Sequence, residues 1–318
     1  MRHRREASVA AAIGALALLL AIVTPGYFSS ENLGDLFLAT MPVLLIALGM
    51  TLVMLTGEID ISVGSIFAVC GVAAGTLAKW GAPAVASAAG ACVMGALLGS
   101  MNGALVAYVR IPSIVVTLAT MVGLRDALRW VTEGAWIQDL PPGFQWLGLT
   151  QMTYPIAAAS VTAMLVVSCA WALLNLAGGR SVYATGSNPD AARLAGLDTA
   201  RVKWSVFTLL GTLTGLAAVL NAVRFSQIPS NSGLGLEMKV IAAVVVGGAA
   251  VAGGRGSVGG TVLGVVLLGA IGPALTYLGV SAYWERAIQG AIILAAVALG
   301  AVRLPVTRRV ARAARGGA

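Results

Sequence analysis

The sequence predicts an all-α polytopic membrane protein with about ten transmembrane helices, built as a single domain over residues 1–318. Three observations carry that prediction. The chain is 58% hydrophobic and only 10% charged, with a mean hydropathy of +0.92, whereas a soluble domain is about 25% charged. Its apolar residues fall into runs of roughly 20, the length a helix needs to cross the hydrocarbon core. Its 40 glycines include Gly95, Gly99 and Gly103 in "GALLGSMNG", four apart on one helical face. Helices in lipid associate by close backbone approach, which small residues permit.

Ten crossings are expected: 7–24, 35–56, 61–79, 84–108, 113–131, 154–175, 203–222, 238–253, 257–278 and 285–302. The first follows a basic "MRHRRE" and is longer than a signal-peptide core of about 7–15 residues, so it reads as an uncleaved span. The eighth is the weakest, being short and Gly-rich. Alternating the crossings from a cytoplasmic N-terminus puts 14 of the 20 Lys and Arg residues inside, among them Arg110, Arg180, Arg193, Lys203 and the tail "RLPVTRRVARAAR". The other six, Lys79, Arg125, Arg129, Arg224, Lys239 and Arg286, fall outside. The excess of positive charge on one face predicts that both termini are cytoplasmic, with 303–318 as a basic tail.

The same composition excludes other classes. The net charge of +8 is scattered over the ends of apolar runs, with no basic stripe interleaved with aromatics, so no nucleic-acid partner is expected. Cys70, Cys92 and Cys169 lie inside apolar runs without metal-like spacing, and His3 sits in the basic N-terminal segment. Neither a disulfide framework nor a metal site is expected.

Two connections are long. The outer one, 132–153, carries Trp136 and Trp146 beside Trp130 of the preceding crossing; interfacial anchoring and stacking on a ligand ring both suit these rings. The inner one, 177–203, is too polar to span. Within it, Ser187 or Asn188 can cap a helix, Pro189 suits its first position, Asp190 favours its positive end, and Gly196 ends it.

"LTGEIDISVGS", residues 55–65, joins the second and third crossings. Asp60 or Ser62 can accept from the free N–H groups that open the next helix, and Glu58 gains from the same dipole. Alternatively the turn dips into the bundle, so that these acids face a permeation route, or they pair with a basic residue or a partner. "SVGSIFAV" at 62–69 is echoed by "SVGGTVLGV" at 257–265, a pattern that internal duplication would produce.

"GMTLVMLTGEIDISVGSIFAVCGVAAG", "NGALVAYVRIPSIVVTLATM", "YATGSNPDAARLAGLDTARVK" and "IAAVVVGGAAVAGGRGSVGGTVLGVVLLG" together resemble, in order and over about 30–300, the membrane subunit of ribose-type bacterial ABC sugar importers. Glu58 departs from the pattern, standing where many relatives have a second glycine. The resemblance implies a multi-pass permease of the bacterial inner membrane, not itself an enzyme, that moves a monosaccharide of the ribose, xylose or rhamnose kind, or autoinducer-2, by alternating access. It implies two such subunits (identical or paralogous), two cytoplasmic ATPases and a periplasmic sugar-binding protein. ATP and Mg²⁺ would be held by the ATPase, since the chain has no phosphate-binding G-x-x-x-x-G-K-[ST] loop and no cofactor of its own is expected. By position, coupling to the ATPase falls on Asn188, Pro189, Asp190, Ala192, Arg193 and Gly196. The signature turn is Gly57, Glu58, Asp60, Ser62 and Gly64. Hydroxyl-bonding candidates for a sugar route are Asn102, Thr117, Thr120 and Asn221, with aromatic help from Tyr108 or Phe225; helix–helix hydrogen bonding is the competing role for each. A branched-chain amino acid or nucleoside permease of the same architecture, and an ion-coupled secondary transporter using Glu58 or Asp60, are the alternatives.

Overall fold

The computed structural model describes residues 2–281, 283–285, 287–292 and 294. Most of the expected tenth crossing, 285–302, and all of the tail 303–318 lie outside the described residues. Eleven α-helices are seen among the described residues: α1 (Arg2–Val23), α2 (Ser30–Leu55), α3 (Val63–Lys79), α4 (Ala84–Ala107), α5 (Ser113–Thr132), α6 (Thr153–Asn175), α7 (Ala177–Ser187), α8 (Pro189–Leu194), α9 (Thr199–Ala222), α10 (Leu236–Val246) and α11 (Val258–Tyr277). Six of them, α1, α2, α4, α6, α9 and α11, are long and apolar enough to cross a membrane. α3 is apolar but has 17 residues, and α5 carries Arg125, Asp126 and Arg129 in its second half.

α2 and α9 form the buried centre, whereas in α1, α4 and α6 less than a quarter of the apolar window is buried. That exposure is the pattern expected where lipid, not water, covers the outside. The most extensive helix pair is α4 with α9. The expected face of Gly95, Gly99 and Gly103 is its seam. A Cβ at Gly95 would run into the Gly211 carbonyl oxygen, one at Gly99 into the Phe207 carbonyl oxygen, and one at Gly103 would lie 2.9 Å from the Phe207 Cβ. Gly211 and Gly215 reciprocate against Gly95 and Ala91. Two backbones therefore meet with no side chain between them.

Helix starts follow local chemistry. The Ser29 hydroxyl caps α2 by accepting from Asn32 N, and Asp198 caps α9 by accepting from Arg201 N at 2.9 Å. Both helices consequently begin earlier than the hydrophobic runs suggest. Ser62 and Ser257, the echoed serines, occupy the same position, each just before its helix. Ser257 accepts from Gly260 N at 3.0 Å, whereas the Ser62 hydroxyl is turned to Asp60.

Two expectations are corrected. The inner connection holds two helices, not one. α7 forms despite its three glycines because Gly179 packs on the Leu173 backbone and Gly186 on the Leu55 carbonyl, so tertiary contact overrides poor propensity. The eighth crossing is not a helix over 238–253. α10 ends at Val246, and Gly248, Gly253 and Gly254 take positive φ values of 99°, 84° and 71°, a backbone that glycine adopts without strain.

The stretch before α10 is also non-helical. Residues 226–235 run along α3: Ile228 lies over Gly71 and Gly75, and Gly233 and Glu237 close on Gly64. Ile228 pairs with Ile137 of the outer connection through two backbone hydrogen bonds of 3.0 and 2.9 Å. α10 then descends antiparallel to α11, with Ala243 on Gly264 and Gly247 on Gly260.

Candidate functional site

At one end of the bundle three distant loops converge. Gly254 N donates to the Leu55 carbonyl at 2.9 Å. A Cβ at Gly253 would stand 2.8 Å from Gly57 N and 2.9 Å from the Gly186 carbonyl, and one at Gly254 would meet Ser187. Gly186 itself lies on the Leu55 carbonyl. These glycines come from "LTGEID", "YATGSNPD" and "VAGGRGSVG", so three of the four quoted motifs form one junction. Gly57 has φ +84°, as the tight turn into "EIDIS" requires.

The segment 188–196 projects from that junction. Asn188 is the cap, its side-chain oxygen accepting from Asp190 N at 3.1 Å and Ala191 N at 3.0 Å. Pro189 opens the helix, Asp190 pairs with Arg193 at 3.5 Å, and Gly196 ends it with φ +82°. Arg193 Nε also donates to Thr199 Oγ1 at 3.0 Å, tying α8 to α9. Ala192 faces inward at 5% exposure, while Leu194, on the other side, is 91% exposed. Leu194 was not among the sequence candidates. An apolar residue in so polar a helix was the available signal.

The signature turn is tied down on two sides. Glu58 forms an ion pair with Lys203 Nζ, and both side chains are about four-fifths buried, with exposures of 16% and 20%. Asp60 is fully buried. Its Oδ1 accepts from Ser62 N at 2.8 Å and the Ser62 hydroxyl at 2.6 Å. Asn102 Nδ2 donates to the Ser62 hydroxyl at 2.9 Å and reaches Asp60 Oδ2 at 3.4 Å, and Thr120 donates to Asn102 Oδ1 at 2.7 Å. Asp60 lies in the connection between two spans, where burial pushes its carboxyl above the ordinary carboxylate range and the bonds from Ser62 and Asn102 oppose that rise. The expected cap is not formed: Asp60 takes the N–H of Ser62, the residue that precedes α3, and no side chain accepts from the first N–H groups of α3 among the described residues.

The remaining candidates are dispersed. Thr117 is fully buried and donates to the Ser113 carbonyl one turn back. Asn221 is half-buried in the last turn of α9, and its carbonyl accepts from Arg224 N. Tyr108 and Phe225 are exposed. Gly64 sits where α3 begins, and a Cβ there would fall on the Glu237 carboxylate. In the outer connection Trp146 meets Tyr154 edge-on at 5.3 Å, while Trp130 and Trp136 stand exposed.

Beside the Glu58–Lys203 pair lies a cavity of about 240 Å³ lined by Arg110, Arg193, the C-terminal end of α4 and the N-terminal end of α9. Lys203 was counted in the sequence only as a topological charge. No one-dimensional pattern links it to Glu58, 145 positions away.

A bundle with six helices long and apolar enough to cross a membrane, and a short polar helix mounted at one end, has the construction of a multi-pass membrane protein. The chain belongs to the family of permease components of the branched-chain amino acid transport system, which it matches over residues 32–297. It is similar to the autoinducer 2 import system permease protein LsrC of Yersinia pseudotuberculosis serotype IB (strain PB1/+), at 38% identity over 312 residues that cover 98% of this chain and 89% of that protein. It is also similar to LsrC of Yersinia pestis (strain Pestoides F), at 37% identity over the same shares of both chains. No solved structure matches it.

Proposed function

We propose that this chain is the membrane-spanning subunit of an ATP-driven importer that carries a monosaccharide or an autoinducer-2-like small sugar across the bacterial inner membrane. The observation that carries the reading is the junction of three motif loops beneath α8. A helix that a cytoplasmic ATPase is to move must be fixed to parts of the permease that move with it. Here its root touches the turn leading into α3 and the loop leaving α10. The similarity to LsrC proteins along nearly the whole chain supports the substrate class.

In this reading ten crossings place both termini in the cytosol: the six long spans, α3, α5, the broken crossing at α10, and the segment 285–302. With Lys239 taken into α10, the remaining basic residues divide 14 inside to five outside, which supports that orientation. The partners are two ATPases, which hold ATP and Mg²⁺, a second permease subunit, and a periplasmic sugar-binding protein. Asn188, Pro189, Asp190, Arg193 and Gly196 shape α8 for docking on the ATPase. ATP closure would move α8 and swing the bundles outward, and hydrolysis would return them. Drive comes only from the difference in binding between the two states.

The experiment reconstitutes the complete transporter with the wild-type chain and with Asp190→Lys/Arg193→Glu. The variant is expected to insert normally and to retain ATP hydrolysis by the ATPase, but to lose ATP-dependent uptake of labelled ribose, rhamnose or autoinducer-2 by at least tenfold. Unchanged uptake overturns the assignment of α8.

A further inference from the structure

α10 has 11 residues, about 16 Å at 1.5 Å per residue, roughly half of a hydrocarbon core about 30 Å thick. In the ten-crossing reading above, the remainder of that crossing falls to the non-helical stretch beginning near Arg224. Its depth is fixed by its neighbours: Ile228 against Gly71 and Gly75 of α3, then Gly233 and Glu237 against Gly64. Irregular backbone at membrane depth is tolerated only where protein covers it or where it lines water, because unpaired peptide groups in hydrocarbon cost several kcal/mol each.

One side of the stretch is covered. Ile228 and Ser230 are buried, and Arg125 of α5 donates from Nη1 to the Ser232 carbonyl at 2.9 Å. The other side is bare: Gln227, Asn231, Leu234 and Met238 are exposed. Lipid cannot cover carboxamides and open backbone without leaving them unsatisfied. Glu237 marks the inner limit of the stretch. Its Oε1 accepts from Gly235 N at 3.2 Å, and its Oε2 is buried without a hydrogen-bond partner among the described residues where the N-termini of α3 and α10 meet. Both helix starts favour negative charge there, and broken helices of this kind surround solute sites in transporters.

We propose that the exposed side of residues 227–238 lines the aqueous route of the carried solute, with Gln227 and Asn231 offering carboxamides to the hydroxyls of a small polyhydroxylated compound. The inference rests on the permease reading above, in which a second subunit supplies the opposite wall. Both carboxamides are exposed and uncharged, so each can release a hydroxyl as readily as it binds one.

The test uses the complete transporter in membrane vesicles, with Cys70, Cys92 and Cys169 replaced by alanine. Single cysteines are placed by Asn231→Cys and Gln227→Cys, with Met164→Cys on the exposed face of α6 as the lipid-facing control. A charged, water-soluble methanethiosulfonate is expected to label positions 227 and 231 at least tenfold faster than 164, whose thiol stays un-ionised in hydrocarbon and reacts only after the chain is unfolded in dodecyl sulfate, which shows that the cysteine is present. Labelling at 231 no faster than at 164 overturns the proposal, and Gln227→Cys gives the same decision if Asn231→Cys fails to insert. Labelling requires no turnover, so the two readings separate. Water-accessible cysteines without any sugar uptake support the route and count against the sugar importer. ATP-dependent uptake with inaccessible cysteines overturns the route alone.

Discussion

Glu58 and Lys203 meet at the edge of the cavity beside α8, and their pairing gives a residue-by-residue check on how the signature turn is held. A fully exposed pair contributes about 0–1 kcal/mol, while removing one partner of a deeply buried pair costs about 3–5 kcal/mol. This pair is mostly but not wholly buried, so Glu58→Lys or Lys203→Glu alone should destabilise by about 1–3 kcal/mol. The double exchange should restore most of that loss. Thermal unfolding of the purified chain in detergent, run as a double-mutant cycle, checks it; two losses that simply add would mean that the side chains do not interact. The sequence showed Glu58 to be unusual and left its role open between cap, pathway and ion pair. Only tertiary structure could choose, because the partner's position in the chain carries no periodic signal. Asp60 is different. Its bond to Ser62 N, two residues on, was readable from local chemistry, but the extension through Asn102 to Thr120 required knowledge of which faces of α4 and α5 meet.

The helices themselves were largely legible. The runs 84–108, 113–131, 154–175 and 257–278 agree with α4, α5, α6 and α11 to within a residue at either end; α4 and α5 start directly after Pro83 and Pro112, and α11 after the Ser257 cap. α7 and the broken crossing were not. In both, glycine runs that read as loop or weak helix are ordered by backbone contacts with remote elements. The α4–α9 seam allows a direct measurement of such contacts. Gly99→Leu should destabilise by about 1–3 kcal/mol or more, since overpacking forces the two backbones apart. Gly123→Leu on α5, where no atom lies within 4 Å of the Cβ position, should stay within about 0.5 kcal/mol of the parent. Thermal midpoints in the same detergent distinguish them. Equal losses would show that the seam is not the tight contact described.

Over the molecule as a whole, the orientation proposed from charge places α8 in the cytosol and the Trp-bearing connection outside. With the native cysteines replaced, Leu194→Cys should resist an impermeant thiol reagent added to intact cells and react with it in inverted vesicles. Trp136→Cys should show the reverse. Reaction of position 194 from the exterior would reverse the orientation and remove α8 from any ATPase.

The contact between Gly186 and the Leu55 carbonyl has a mechanical consequence. No side chain lies at that joint to be squeezed, rotated or repacked, so it has almost no play. A displacement imposed on α8 cannot be absorbed as local slack and must pass on to the elements beneath. A bulkier residue there would pry the joint apart, and like backlash in a gear the gap would take up movement before it reached them.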